Sequence, residues 1–241
     1  MLSSLIDDLI TFAPPLAQGA VLTIALCLVS SVLAVAIGLF VCICRMSRNR
    51  VTSKIASIYI DLIRGTPLLL QLFYIYYALP DIGIVLPAFI AGVMGLSLNF
   101  GAYLAELFRS GIQSIEGGQS DAGSALGLSK WQRMRYIVLP QALRNIYPAL
   151  GNYALVLIKE SSLVAVISVL ELMRAGELLA SATFEAMKVY TIVALFYLAI
   201  SYVVAKMFAM GETALAVPGM WGTAVSRDDD RQRGQIGAGP A

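Results

Sequence analysis

Residues 9–44 contain no charged side chain, and neither do residues 82–105. A helix needs roughly 20 apolar residues to cross the hydrocarbon core of a bilayer, so each run is long enough. Composition points the same way. Of 241 residues, 59% are hydrophobic and only 13% charged, about half the charged share of a soluble domain, and the mean hydropathy is +0.79. This excludes a disordered chain, a collagen-like fibre and a disulfide-rich secreted module. A soluble globule of this size would need more polar surface than the chain supplies. The sequence therefore reads as an all-α integral membrane protein with several spans.

Cys27, Cys42 and Cys44 all lie in the first apolar run. Cys42 and Cys44, two apart on a helix, point to different faces, and the three form no metal or disulfide pattern. The N-terminus carries Asp7 and Asp8 and no early Lys or Arg. It lacks the basic region of a secretory signal, and its apolar run is too long for one, so the first span is expected to be retained.

Five spans are predicted, at about 18–44, 55–79, 85–107, 145–169 and 189–208. Basic residues set their orientation. With the N-terminus outside, the inner segments hold Arg45, Arg48, Arg50, Lys54, Arg109, Lys130, Arg133, Arg135, Arg144, Lys206, Arg227, Arg231 and Arg233, thirteen of the 17 Lys and Arg residues. The outer loops keep Arg174 and Lys188, while Arg64 and Lys159 fall in or near spans. An N-out, C-in arrangement follows. No tandem repeat is present. Residues 1–210 read as one membrane domain, and 211–241 as a disordered cytoplasmic tail.

Between spans three and four, Glu116 to Pro140 is too polar to span and too patterned for a plain loop. Gln119–Leu126 reads as a short helix, ended by Gly127 in the left-handed conformation. Ser129 and Gln132 then fit a capping box, opening a second helix to about Val138 that stops near Pro140. Trp131, Met134 and Val138 share one face of it. Such a pair must dock on protein or lie on lipid.

The spacing in this segment resembles that of the EAA loop. Asp121-Ala122-Gly123, three residues, Gly127, nine residues, then Ile137-Val138-Leu139-Pro140 is similar to Glu-Ala-Ala, three residues, Gly, nine residues, Ile-x-Leu-Pro, the mark of membrane subunits of ATP-binding-cassette importers. Asp121 replaces Glu, keeping the charge on a shorter arm. Gly123 replaces Ala, which weakens a helix by roughly 1 kcal/mol. Further stretches resemble the polar amino acid permease branch: Arg64-Gly65-Thr66-Pro67-Leu68-Leu69-Leu70-Gln71, Ser97 to Glu106, Gly111 to Ile115, Leu139 to Arg144 and Lys159-Glu160-Ser161-Ser162-Leu163. The resemblance covers about residues 18–210. It implies the type I importer permease fold, with coupling helices at about 119–138 in which Asp121, Ala122, Gly123, Gly127 and Pro140 meet an ATPase subunit. It also implies a multi-pass protein of the bacterial inner (cytoplasmic) membrane. Its partners would be a dimer of ATPase subunits, an identical or homologous permease, a periplasmic or lipid-anchored solute-binding protein, and an amino acid substrate.

The residues themselves set limits on the chemistry. The chain has no histidine, hence no His-based triad, and no P-loop. Uphill transport would draw on a partner or an ion gradient; no cofactor is expected on this chain, with ATP and Mg used by the partner. Arg64-Gly65-Thr66-Pro67 is either a hinge or gate, or a helix start with Pro in its first turn. In span three, Ala91, Gly95, Asn99, Ala102 and Glu106 fall within about 80° of arc, a small-and-polar stripe that faces protein or a cavity. Asn99 on it makes either an interhelical bond or a substrate contact, and Glu106 is expected to pair with Arg109. In span four, Lys159 and Glu160 lie deep in the apolar slab, where an isolated charge costs ~2.5–3.5 kcal/mol or more. They pair with each other or face a cavity. Ser161 and Ser162 follow, with hydroxyls suited to free backbone groups. The resemblance implies that Asn99 and the 159–162 stretch approach substrate; Gln71 and Asn152 are further cavity candidates. The expected function is the permease subunit of an ATP-driven importer of polar, in particular basic, amino acids. An ion-gradient-driven transporter is the alternative. A nucleophile–base pair for an intramembrane enzyme is lacking.

Overall fold

The computed structural model describes residues 2–115 and 117–215, with the side chains of residues 2–10 left aside. Every regular element among them is helical. The charge-free N-terminal run forms α1 (Leu2–Arg45), whose last turn carries Arg45 at the negative end of the helix dipole. Asn49 caps α2 (Arg50–Arg64), accepting the Val51 N–H at 2.9 Å. Then come α3 (Leu68–Phe73), a π turn over Tyr74–Ala78 and a 3-10 turn over Leu79–Ile82, closed by Gly83 at φ 83°. The remaining helices are α4 (Ala88–Gln113), α5 (Gly117–Ala125), α6 (Lys130–Arg133), α7 (Leu139–Glu160), α8 (Leu172–Thr183) and α9 (Ala186–Leu215). The last runs five residues into the segment expected to be tail; residues 216–241, where the rest of that expectation falls, lie outside the described residues.

Four stretches are long and apolar enough to cross a membrane: Thr11–Arg45, Ala88–Gln113, Lys130–Ile167 and Ala186–Leu215. The expected second span differs. It is broken between Arg64 and Leu68 and bent by 103°, so a fifth crossing exists only if the bent pair counts as one. The reason is local. Pro67 takes an extended ψ of 139° at the N-cap of α3, and the residue before a proline is pushed out of the α region. Pro67 thus stands at the N-cap of α3, just ahead of its first turn. The fourth span also differs. The helix opened at Lys130 does not stop near Pro140. It passes through a π turn (Met134–Val138) into α7, where Pro140 sits in the first turn and its missing N–H is tolerated.

The centre of the bundle is α4, which buries 67% of its apolar window against 11% for the peripheral α9. Its small residues set the spacing: a Cβ on Gly101 would lie 2.7 Å from Ile37 Cγ2, and one on Gly38 of α1 2.9 Å from Leu104 Cβ. Lipid tails are as apolar as leucine, so this close fit, rather than removal of water, holds α1 to α4. Along the predicted stripe Ala91, Gly95, Asn99 and Ala102 are all buried.

A second cluster, with Phe12, Leu16, Leu172, Val189 and Ile192, joins α1, α8 and α9. At its edge Glu171 is fully buried. Its carboxylate caps α8, accepting the Met173 and Arg174 N–H groups at 2.9 and 2.8 Å. It also accepts the Tyr197 hydroxyl at 2.8 Å and lies 3.3 Å from Thr23 Oγ1. One side chain thus ties α8 to α1 and α9. Glu171→Ala strands two N–H groups and the Tyr197 hydroxyl, at about 1–3 kcal/mol for each left unsatisfied, while Thr23 keeps the Gly19 carbonyl at 3.1 Å. It should lower the thermal unfolding midpoint of the purified protein far more than Glu177→Ala, whose partner Arg174 is half-exposed; equal midpoints would show that the clasp carries no stability.

Candidate functional site

The break after α2 opens a cleft of about 490 Å³ lined by Arg64, Gly65, Thr66, Pro67, Asn99, Tyr103, Tyr153 and Glu160, among others. It gathers three separate stretches singled out in the sequence: the Arg64–Pro67 motif, the span-three stripe and the end of α7. Arg64 closes α2, Asn99 and Tyr103 stand one turn apart on α4, and Tyr153 and Glu160 stand two turns apart on α7.

Gln71 holds the break together. Its Nε2 lies 2.8 Å from the Ile63 carbonyl, 3.1 Å from that of Thr66 and 2.9 Å from Thr66 Oγ1. The last carbonyls of a helix have no partner within it, and this amide supplies one for Ile63. Two backbone acceptors fix which end of the Gln71 amide is nitrogen, so its oxygen faces α4 and accepts Asn99 Nδ2 at 3.0 Å. Asn99 is thus bonded between helices and lines the cleft as well. Gln71 supports the cleft from behind.

The charges are arranged asymmetrically. The Arg64 guanidinium sits over the Tyr103 ring at 5.2 Å from its centroid, a cation–π contact. The Tyr103 and Tyr153 rings are 6.0 Å apart. Glu160 is half-buried on the cleft wall. Lys159 is exposed, and the two form no ion pair, since neighbours on a helix point about 100° apart. The expected alternative of a local Lys–Glu pair is therefore not formed. The pairing of Glu106 with Arg109 is, through both carboxylate oxygens. Ser161 and Ser162 turn inward, donating to the Ile158 and Lys159 carbonyls at 2.7 Å each, where α7 tightens into a 3-10 turn over Ser161–Ile167. Asn152 is exposed and lies outside the cleft lining. Tyr103 and Tyr153 were missed from sequence. Tyr103 follows Asn99 by four residues, and that spacing was the available signal.

The polar segment folds much as its spacing predicts. α5 ends at Gly127, φ 78°, with the Leu128 N–H reaching back to the Gly123 carbonyl at 3.0 Å, the Schellman arrangement. Ser129 and Gln132 form both bonds of the capping box. Gly123 is buried where α5 crosses the next helix: a Cβ there would lie 2.7 Å from Ile137 Cδ1. Arg133 bonds the Ser120 carbonyl at 3.2 Å and the Ser124 hydroxyl. Asp121, Ala122 and Pro140 are exposed, as are Leu126 and Trp131 at 80% and 67%. Among the described residues no group of three or more His, Cys, Asp or Glu side chains could hold a metal.

Residues 31–211 match the family model of the binding-protein-dependent transport system inner membrane component. The chain is 43% identical over 192 residues to a probable amino-acid ABC transporter permease, YckA, of Bacillus subtilis (strain 168), covering 80% of this chain and 85% of that one. It is 39% identical over 194 residues to the glutamine transport system permease GlnP of Escherichia coli (strain K12), covering 79% and 88%. Among solved structures, an amino acid ABC transporter crystallised with histidines superposes at a TM-score of 0.81 with 38% identity, over 86% of this chain and 96% of that one. The MetNI methionine ABC transporter in an inward-facing form shares the fold at a TM-score of 0.73 and 19% identity. A transport component rather than an enzyme, the chain belongs to the family of binding-protein-dependent transport system inner membrane components.

Proposed function

We propose that the chain is the permease subunit of an ATP-driven, binding-protein-dependent importer of polar, in particular basic, amino acids in a bacterial inner membrane. The observation that carries this reading is the cleft at the break in the second span. Asn99 and Glu160 both line it beside two tyrosine rings, and Glu160 has no ion-pair partner among the described residues. A carboxylate in a poorly solvated cleft attracts a cation more strongly than it would in water and repels an anionic substrate. The amino acid names of relatives and of the 38%-identical transporter support the substrate class.

In this reading two permease subunits, identical or homologous, enclose the path. A solute-binding protein delivers substrate outside, and two ATPase subunits, which use the ATP and Mg, dock on α5 and the start of the helix at Lys130. The exposed Asp121, Ala122 and Leu126 support that docking face. The alternative, an ion-gradient-driven transporter, could use Lys159 and Glu160 but gives the segment around Asp121 and Gly127 no role.

Three outcomes follow. Glu160→Gln keeps shape and removes charge. Uptake of arginine or lysine in proteoliposomes should fall by an order of magnitude or more, as loss of a charged hydrogen bond worth ~1.5–3 kcal/mol requires; unchanged uptake by a folded, assembled variant takes Glu160 out of the site. Gly127→Trp puts a side chain on a left-handed residue, which costs roughly 1–2 kcal/mol, and adds bulk to the docking face. Substrate-stimulated ATP hydrolysis should drop severalfold, and wild-type stimulation in the intact complex would disprove the coupling role. For the N-out orientation, single cysteines in a Cys-free background are labelled from each side. Val85→Cys should react from outside, Lys54→Cys only after permeabilisation, and the opposite pattern reverses the layout.

A further inference from the structure

Two apolar cavities follow one another along the same three helices. The first, about 370 Å³, is lined by Thr23 to Val35 of α1, Phe100 and Leu104 of α4 and Leu150 to Ile158 of α7, with α9 beside them. The second, about 680 Å³, continues with Leu39 to Cys44 of α1, Met46 and Ser47 just past its end, Phe108 and Ile112 of α4 and Met134 to Ile146 of α7 and the π turn before it. On α4 the floor residues Phe100, Leu104, Phe108 and Ile112 recur every four positions, one face of the helix. From Thr23 to Cys44, α1 rises ~32 Å at 1.5 Å per residue, enough to cross the ~30 Å hydrocarbon layer. Both α1 and α7 lean on α4, and an apolar seam is left between them.

The mouth of the second cavity is open: Leu39, Ile43, Met46 and Leu143 on its rim are exposed by 45%, 70%, 39% and 45%. Basic residues bracket it. Arg48 follows the lining residue Ser47, Arg50 precedes Thr52, Arg135 follows Met134, and Arg144 follows Leu143. All four are exposed. The ion pairs formed among the described residues are Glu106–Arg109, Arg174–Glu177 and Lys188–Glu185, so these four arginines have no carboxylate there. A largely apolar slot at a membrane boundary, with exposed arginines next or near in sequence to its lining residues and without a carboxylate partner, has the chemistry of one ligand. It offers hydrocarbon contact below and phosphate contact above.

We infer that the crevice between the inner ends of α1 and α7 is a binding site for an anionic phospholipid of the cytoplasmic leaflet. One acyl chain lies along Leu39, Cys44, Phe108 and Leu139, and the phosphate meets Arg48, Arg50 and Arg144. The inference rests on the N-out orientation proposed above. The crevice wall from Met134 to Ala142 is the stretch that joins the docking segment to α7. A chain seated there wedges that joint against α1, so occupancy sets how firmly the docking face is held to the bundle.

The assembled permease–ATPase complex is placed in nanodiscs of phosphatidylglycerol or phosphatidylcholine. Retained lipid is counted by native mass spectrometry, and substrate-stimulated ATP hydrolysis is measured in parallel. The wild type should keep phosphatidylglycerol in preference and hydrolyse ATP severalfold faster with it. The Arg48→Gln/Arg144→Gln double variant should lose the preference by about tenfold. Cys44→Trp, which fills the slot and leaves the charges, should lose retention as well; Leu39→Trp, placed at the exposed mouth, serves where Cys44→Trp misfolds. Equal retention of the two lipids, or a preference that survives both kinds of variant, overturns the site. Detachment of the ATPase by the double arginine change also overturns it, because the face would then belong to the ATPase. A wild-type complex without substrate-stimulated hydrolysis in either lipid would fault the transport reading alone, since retention is read without turnover.

Discussion

A helix that stops leaves its last carbonyls without partners, and in a protein surrounded by lipid water cannot be counted on to supply them. At the Arg64–Leu68 break this constraint is met by two side chains, the Thr66 hydroxyl on the Leu62 carbonyl and the Gln71 amide on those that follow. Gln71 Nε2 answers the Ile63 and Thr66 carbonyls, and its oxygen binds Asn99 on the central helix. With that link the chain turns by 103°. Without it the turn would leave unpaired polar groups, each costly in a low-dielectric surrounding. The cleft exists because the turn does: Arg64, Thr66 and Pro67 form one wall of it, and α4 and α7 form the other.

Why Asn99 looked ambiguous in sequence is now clear in physical terms. A small-and-polar stripe reports that a helix face meets protein or a cavity, without distinguishing between them. Asn99 meets both, donating to Gln71 and lining the cleft. The local signals were legible because their physics is local. Ser129–Gln132, Gly127 and the Glu106–Arg109 pair each depend on residues within five positions of one another. Features that depend on distant chain were not legible. Tyr103 and Tyr153 face each other across 50 residues, and Glu171 finds Thr23 across 148.

Two expectations failed for one reason. The second span is drawn from about 55 to 79 across Pro67, where the helix in fact breaks, and the helix opened after Ser129 is expected to stop near Pro140, where it in fact runs on. Proline removes one donor and crowds the preceding turn, but its effect depends on what lies upstream. Before Pro67, Gly65 and Thr66 leave the helix free to end, with Thr66 Oγ1 bonded back to Leu62 at 2.9 Å. Before Pro140, the π turn of Met134–Val138 widens the helix, as the Leu139 N–H to Met134 carbonyl bond records, and the proline falls where a donor is least missed.

That continuity has a mechanical consequence. From Lys130 to Glu160 the backbone is one uninterrupted helical rod, ~45 Å long at 1.5 Å per residue. α5 is braced on the rod's Lys130 end through Arg133 and Gly123, and Glu160 stands at the rod's other end on the cleft wall. A displacement applied at α5 would be carried toward Glu160 along this rod, whose soft points are the π turn and Pro148, which leaves the Arg144 carbonyl without its helical donor. The break in the second span is restrained instead, because the groups across it are tied by the Gln71 amide. Motion of the rod against α4 would change the distance from Glu160 to Asn99 first, while Arg64 stays over Tyr103. In such an arrangement the cleft changes shape on the α7 side, where its one unpaired carboxylate is carried.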